Sequence, residues 1–178
     1  MSEKREIESS DIIAALECAS KFVADKADCR HYLHHVLIKN VDRDCHIVAS
    51  DGHRLVQITL HDHHQVNAGL YQINSVKDAV KVNNDWLLRL ADSSVGTYPD
   101  YTRLIPTDSG AFDMPVGINA SYVAEAMTAY TRLYKKIAGD KYCGIKQVRA
   151  DSEGANVWRH DFKQTPISVD IVIMPMRL

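Results

Sequence analysis

The sequence predicts a protein of the α+β class, built from two successive strand–helix–meander units with antiparallel strands. An amphipathic helical pattern occurs near each end of the chain, each pattern is followed by three strand-like runs, and short turn sequences join the runs. The chain has 178 residues, of which 46% are apolar and 25% are charged, and its formal net charge is -2. This composition is typical of one compact soluble domain, or at most two small ones.

The first unit is expected over residues 1–68. Apolar residues spaced three or four apart predict an amphipathic helix over residues 9–26, with its cap among residues 9–11. Three β-rich runs follow, with the sequences HYLHHVLIKN, CHIVAS and HRLVQITL. Asp51-Gly52 lies between the last two runs, and this dipeptide is typical of a tight hairpin turn because Gly accepts a positive φ.

The second unit repeats this order over residues 113–178. A short strand over 113–118 precedes a helix that begins near Asn119 or Ser121, and the runs YCGIKQVRA, ANVWRHDF and ISVDIVIM predict three further strands. The connector between the units, residues 69–112, is expected to contain a short helix over Val76–Val82, capped by Ser75 and Asp78. Prolines in the rest of the connector argue against a continuous strand there.

Cysteine usage and charge narrow the function classes. The four cysteines share no C-x-x-C spacing and are expected to be reduced thiols: Cys18, Cys29, Cys45 and Cys143. The polar first residues and the absence of a long apolar run predict a cytoplasmic protein. The near-neutral charge is not that of a dedicated nucleic-acid binder, so any DNA contact would depend on local placement of Lys and Arg.

Five short segments carry a resemblance to a known family. Ala49–Leu55 reads A-S-D-G-H-R-L, Tyr98–Pro106 reads Y-P-D-Y-T-R-L-I-P and Val172–Leu178 reads V-I-M-P-M-R-L, with weaker matches at Arg30–Leu33 and Gly117–Val123. The first three segments resemble parts of the bacterial DNA sliding clamp, the β subunit of DNA polymerase III. Their counterparts are, respectively, a turn of the middle domain, the linker between the middle and third domains, and the C-terminus. All five segments occur in the family's order. The resemblance implies a DNA-clamp-like fold with the helices on one face of the sheets.

The resemblance is to a shortened clamp that lacks the first domain. A member of the family has three domains, each made of two such halves, and two chains close a ring. Residues 1–68 resemble the first half of the middle domain, 69–112 are a shortened connector that includes the linker, and 113–178 resemble the second half of the third domain. The missing parts supply the faces that close the family's ring, so closure by two chains is not expected.

The resemblance also implies a peptide-binding pocket. In the family, polymerases, the clamp loader and repair proteins dock short linear motifs between the middle and third domains. The positions that match this pocket are Leu33, Ser50, Gly52, His53, Arg54, Leu55, Pro99, Arg103, Leu104, Val172, Ile173, Met174, Pro175, Met176, Arg177 and Leu178. Leucine, valine and isoleucine would form its floor, the methionines would adapt to different partners, and the arginines would pair with polar groups of the peptide. The residue types alone fit equally well a frayed terminus with two core methionines.

Cations near the two predicted helix C-termini could contact DNA. In the family, the helices line the inner surface of the ring and contact the phosphate backbone of double-stranded DNA without reading its sequence. The candidates are Lys21, Lys26, Arg30, Arg132, Lys135, Lys136 and Lys141. The helix dipole and solubility explain cations at these places equally well.

The functional expectation is therefore a non-catalytic platform that docks linear motifs of replication or repair proteins and competes with, or modulates, the full clamp. One alternative is a miniature processivity ring of several copies that encircles DNA. Another is a small His-rich metalloprotein or enzyme, because the chain has nine histidines, including His61, His63 and His64. No zinc-binding spacing accompanies them, and Asp51 and His53 on one tight turn seldom converge, so neither a metal or cofactor nor a catalytic residue is expected.

Overall fold

The computed structural model describes residues 6–63, 66–72, 80–82, 85–87, 96–105, 117–139, 143–149 and 155–175. These residues form the elements α1 (Ser9–Ala19), β1 (Val36–Val41), β2 (Asp44–Ser50), β3 (Arg54–Leu60), β4 (Gly69–Tyr71), β5 (Val80–Val82), β6 (Asp85–Leu87), α2 (Ala120–Ala138), β7 (Lys146–Arg149), β8 (Asn156–Asp161) and β9 (Ile167–Ile173). No helix in these ranges is long and apolar enough to cross a membrane.

Seven of the strands form one antiparallel sheet, in the order β4-β1-β2-β3-β9-β8-β7. The meander β1-β2-β3 and the meander β7-β8-β9 are joined by pairing of β3 with β9, in a register that runs from Arg54 opposite Ile173 to Leu60 opposite Ile167. The predicted α+β class is confirmed, and the two units share one continuous sheet.

Both helices pack on the same face of this sheet and against each other. Side chains alternate along each strand, so Ile47 of β2, Ile58 of β3 and Ile171 of β9 all point to the helices, and all three are fully buried. Burying each such side chain contributes about 1.5–3 kcal/mol. The sheet and the helix pair together form the main, helix-facing core.

Helix α1 is shorter than the sequence predicts. It ends at Ala19, and the Ser20 hydroxyl donates to the Glu17 carbonyl oxygen at 2.8 Å. Phe22 then lies fully buried in the helix-facing core, while the Ala24 amide donates to the Leu33 carbonyl at 2.9 Å. The apolar residues of this irregular segment are also buried or half-buried, and they continue the spacing of a helix as far as Val23. This is why the sequence predicts a longer helix than the structure has.

Helix α2 begins where the sequence predicts. The Asn119 side chain caps it by accepting a hydrogen bond from the Ser121 amide at 2.9 Å. Gly139 ends the helix with a φ of 72°, and its amide donates to the Lys135 carbonyl. The left-handed conformation at Gly139 is the usual C-terminal cap of a helix.

The connector differs from the prediction. Val80–Val82, expected to end a short helix, form β5 and pair with β6. Apolar and polar residues alternate in Val80-Lys81-Val82, which is the period of a strand. The prediction relied on helical spacing and a cap, and so did not use this alternation. The predicted cap at Ser75 and Asp78 and most of the predicted strand 113–118 lie outside the described residues, and residues 117 and 118 are not in a strand.

Candidate functional site

A second apolar cluster covers part of the sheet face opposite the helices. We call it the outer cluster, and its buried members are Ala24, Leu33, Val48, Leu55, Tyr98, Tyr101, Val148, Ala155, Val157 and Val172. Its rim consists of partly buried side chains: Tyr32, Leu37, Leu70, Leu104, Ile105 and Met174. The cluster therefore combines five residues that the family resemblance assigned to one pocket from separate segments of the chain: Leu33, Leu55, Leu104, Val172 and Met174.

The turn at residues 50–54 holds the edge of this cluster. The Ser50 hydroxyl donates to the Arg54 carbonyl at 2.9 Å and accepts from the Gly52 amide at 3.0 Å, and the Asp51 carboxylate accepts from the His53 and Arg54 amides. Gly52 has a φ of 89°, so the predicted tight turn is confirmed. These internal hydrogen bonds fix the hairpin that connects β2 and β3.

Arg30 closes this turn from outside. Its Nη2 donates to the Asp51 carbonyl at 3.0 Å, and its guanidinium pairs with the Asp28 carboxylate. Hydrogen bonds from Arg30 hold the pKa of Asp28 well below its ordinary value. A Cβ at Gly52 would overlap the Arg30 guanidinium. Arg30, a candidate for DNA contact, is therefore engaged in holding the turn.

Arg54 does not face the outer cluster. Its Nε donates to the Asp51 carboxylate at 2.9 Å, an Nη nitrogen pairs with Glu125 at 2.7 Å, and the guanidinium lies over the rings of Phe22 and Tyr122. Because residues alternate along β3, Leu55 points outwards and Arg54 points to the helices. Arg54 links the turn to α2 and is only 7% exposed, so it is not placed to pair with a peptide on the outer face.

Two further pocket candidates also divide between the faces. Ile173 packs in the helix-facing core, since it alternates with Val172 along β9. The exposed His53 ring stacks on Tyr122, with ring centroids 5.5 Å apart, and the His53 carbonyl accepts from the Met174 amide at 2.9 Å. The backbone of His53, rather than its side chain, helps to place Met174 on the rim.

The linker segment 96–105 lies across the outer face. Tyr98 and Tyr101 are buried in the outer cluster, in an edge-to-face contact with centroids 6.5 Å apart, and burial raises the pKa of both phenols. Asp100 accepts hydrogen bonds from the amide and hydroxyl of Thr102, which starts the short 3₁₀ turn Thr102–Leu104. This turn places Leu104 on the rim of the outer cluster.

A cleft of about 470 Å³ runs beside this segment. Its lining includes Leu37 of β1, Leu70 of β4, and Tyr98, Pro99 and Tyr101 of the linker. Of the predicted pocket residues that the structure describes, only Pro99 lines it. The prediction did not include the other four residues named here, although Tyr98 and Tyr101 belong to the linker motif. Leu37 and Leu70 are marked only by their strand positions.

The remaining pocket candidates are placed as follows. Arg103 is highly exposed and lies 3.7 Å from the Asp100 carboxylate, a loose surface ion pair. Pro175, directly after the rim residue Met174, is half-buried. Met176, Arg177 and Leu178 lie outside the described residues.

Three candidate DNA contacts lie together on the helix pair. Lys21 of the segment after α1 and Arg132 and Lys136 of α2 line a cleft of about 350 Å³ between the helices, and Lys136 pairs with Glu17 of α1. Lys26 and Lys135 are exposed. Lys141 lies outside the described residues.

The histidines that the structure describes do not converge on one point. His31 and His34 meet edge to face with centroids 5.4 Å apart, and His35 Nδ1 lies 2.9 Å from the His31 carbonyl oxygen. His61 lies at the opposite, polar end of the outer face and contacts Asp44 and Ser168. Within the part of the chain that the structure describes, which omits His64, no three His, Cys, Asp or Glu side chains are grouped to hold a metal ion.

This arrangement, an antiparallel sheet with a helix pair on one face and a linker across the other, is the fold of bacterial DNA sliding clamps. A sliding clamp of Pseudomonas aeruginosa, solved with a ligand, superposes with a TM-score of 0.64 at 15% identity, over 96% of this chain and 65% of that chain. A Caulobacter crescentus sliding clamp gives a TM-score of 0.64 at 14% identity, over 97% of this chain and 65% of that chain.

A third structure, the P. aeruginosa clamp bound to griselimycin, superposes with a TM-score of 0.58 at 15% identity, over all of this chain and 68% of that chain. No protein-family model and no curated protein sequence matches the chain. The chain thus spans about 65% of the length of the first two clamps. The fold implied by the sequence resemblance is confirmed.

Proposed function

We propose that this protein is a clamp-like binding platform whose outer cluster docks linear peptide motifs of replication or repair proteins, such as polymerases and the clamp loader. The observation that carries this proposal is the convergence of five predicted pocket residues, Leu33, Leu55, Leu104, Val172 and Met174, on one sheet face. They come from four distant parts of the chain. In this role the protein binds its partners in the cytoplasm, and the docking itself involves no chemical reaction.

The chemistry of the surface suits an apolar peptide segment. Leu33, Leu55 and Val172 form a buried floor, while the half-buried Leu104 and Met174 leave apolar area to cover. Methionine adapts to ligands of different shape because its side chain is unbranched and polarizable. Arg103 is an accessible cation beside this rim, since its contact with Asp100 is long and exposed.

The proposed role is competition with, or modulation of, a full clamp. The chain spans about 65% of the sliding clamps that share its fold, yet it includes residues from both sides of the predicted pocket. Such a surface would bind the same motifs as a full clamp and so compete for them.

The test is fluorescence anisotropy of a labelled peptide that carries a clamp-binding motif, titrated with the full chain. Met174→Ala is expected to weaken binding about tenfold, or about 1.4 kcal/mol. This is slightly below the about 1.5–3 kcal/mol for burying a whole methionine side chain, because Met174 is already half-buried. Met127→Ala is the matched control, because Met127 is also half-buried but lies on α2. Absence of saturable binding by the wild-type chain, or equal effects of both variants, would refute the proposal.

A second candidate function is a ring of several copies that encircles double-stranded DNA. It is favoured by the helix pair, where Lys21 and Arg132 line the same cleft, and by β4 and β7, each of which has one strand partner among the described residues. Sedimentation at micromolar concentration, with and without DNA, separates the candidates. A strict monomer under both conditions excludes the ring, whereas a ring should bind DNA in a salt-dependent, sequence-independent way.

A further inference from the structure

The polar end of the outer sheet face holds three side chains in line. His61, directly after β3, has its Nδ1 2.9 Å from an Asp44 carboxylate oxygen and its Nε2 3.0 Å from the Ser168 hydroxyl. Asp44 begins β2 and Ser168 lies in β9, so the fold brings the three together from distant positions. The set lies outside the outer cluster, and the proposed peptide docking does not use it.

The hydrogen bonds around Asp44 favour one orientation and tautomer of the His61 ring. Burial acts to raise the pKa of Asp44, but hydrogen bonds from the Asp62 amide and from His61 hold it below its ordinary value. Asp44 is therefore a carboxylate at neutral pH and can accept a hydrogen bond only from a protonated His61 Nδ1. With the ring proton on Nδ1, Nε2 accepts from the Ser168 hydroxyl at 3.0 Å, which is the arrangement that a general base requires.

We propose that Ser168 is an activated nucleophile that accepts an acyl group from small activated esters. Ser168 Oγ forms a bond to the acyl carbon, the bond from that carbon to the leaving alcohol or phenol oxygen breaks, and the hydroxyl proton passes to His61 Nε2 and then to the leaving oxygen or water. The products are an acylated serine and the free alcohol or phenol. Asp44 is a positioning residue that orients the imidazole and stabilises its protonated form.

The surroundings of Ser168 limit both the ester and the turnover. Ser168 is only 8% exposed, so a small ester is required. β9 is paired on both sides, with β3 and with β8, so its amides are not available to stabilise an oxyanion. Thr59 is the cross-strand neighbour of Ser168, and its hydroxyl accepts a hydrogen bond from Gln57. Because no amide of β9 is available to stabilise the oxyanion, removal of the acyl group should be slow. Ser168 is therefore expected to accept one acyl group rather than to turn over rapidly.

The experiment incubates the full chain with p-nitrophenyl acetate, follows p-nitrophenolate release, and locates the acetyl group by peptide mass spectrometry. The wild-type chain is expected to carry one acetyl group on Ser168, and Ser168→Ala should carry none at that position. His61→Gln and Asp44→Asn should slow acetylation of Ser168 by about 100-fold, the lower end of the usual contribution of a general base. His31→Ala is the control, because His31 is exposed and directly follows Arg30, which contacts the turn at the opposite end of β3 from His61.

Circular dichroism shows whether each variant is folded, and His61→Ala provides a second test if His61→Gln is not. Acetylation confined to lysines, or acetylation of Ser168 at the same rate in the folded His61 variant, would overturn the inference. Loss of peptide binding with intact Ser168 acetylation would instead refute only the proposed docking function, since the two sites use different ends of the outer face.

Discussion

Substitution of Arg54 by Ala tests whether this residue is structural rather than ligand-binding. Its ion-paired hydrogen bond to Asp51 joins side chains that are 8% and 15% exposed, and such a bond contributes about 1.5–3 kcal/mol. Two aromatic rings at 5.3 and 5.4 Å add about 0.5–1 kcal/mol each. The partner Glu125 is 61% exposed and adds little.

Arg54→Ala should therefore lower the free energy of unfolding by about 3 kcal/mol, which corresponds to a fall in Tm of roughly 6–12 °C for a chain of this size. Urea unfolding followed by circular dichroism measures the change. Arg103→Ala is the matched control, because that side chain is 88% exposed, and it should change stability by less than about 0.5 kcal/mol. Equal stability of the two variants would show that the Arg54 contacts do not support the fold.

Three further outcomes are expected in unfolding experiments. Gly52→Ala should lower the free energy of unfolding by about 1–3 kcal/mol, because the φ of Gly52 is 89° and the Arg30 side chain occupies the space of a Cβ. The loss should be smaller when Arg30 is also replaced by Ala. An equal loss in that double variant would show that backbone strain alone causes it. Burial lowers the pKa of His160, so the unfolded chain binds more protons and stability should fall as the pH drops below about 6.5. His160→Phe should flatten this slope in urea titrations at several pH values, and an unchanged slope would contradict the assignment. Asn119→Ala should cost about 1 kcal/mol through loss of the α2 cap, and no change in the urea midpoint would count against the cap.

The local parts of the fold could be predicted from the sequence. The Asp51-Gly52 turn and the start of α2 at Asn119 are encoded by neighbouring residues, and the structure confirms both. The pairing of β3 with β9 could not be predicted in this way, because no turn connects these strands and nothing in either sequence specifies a distant partner. Only the resemblance to a family brought their residues together.

The same resemblance placed the site residues along the chain but not on a face of the sheet. Leu55 and Val172 point to the outer cluster, whereas their neighbours Arg54 and Ile173 point to the helices. The alternation of side chains along a strand could have predicted the face of Arg54. Arg54 lies two and four residues before the apolar Val56 and Ile58 and therefore points to the same face. The contact of His61 with Ser168 carries no such signal, because it depends on the same distant strand pairing.

The pairing of β3 with β9 also affects how the chain folds while it is being synthesised. About a hundred residues separate the end of β3 from the start of β9, and at roughly 5–20 residues per second the ribosome needs roughly 5–20 s to make them. During that interval the first meander has a complete but unpaired edge at β3, which is a template for any extended strand. The β9 strand of a neighbouring chain could pair there first, so slow translation at high expression is expected to favour strand-exchanged dimers over monomers.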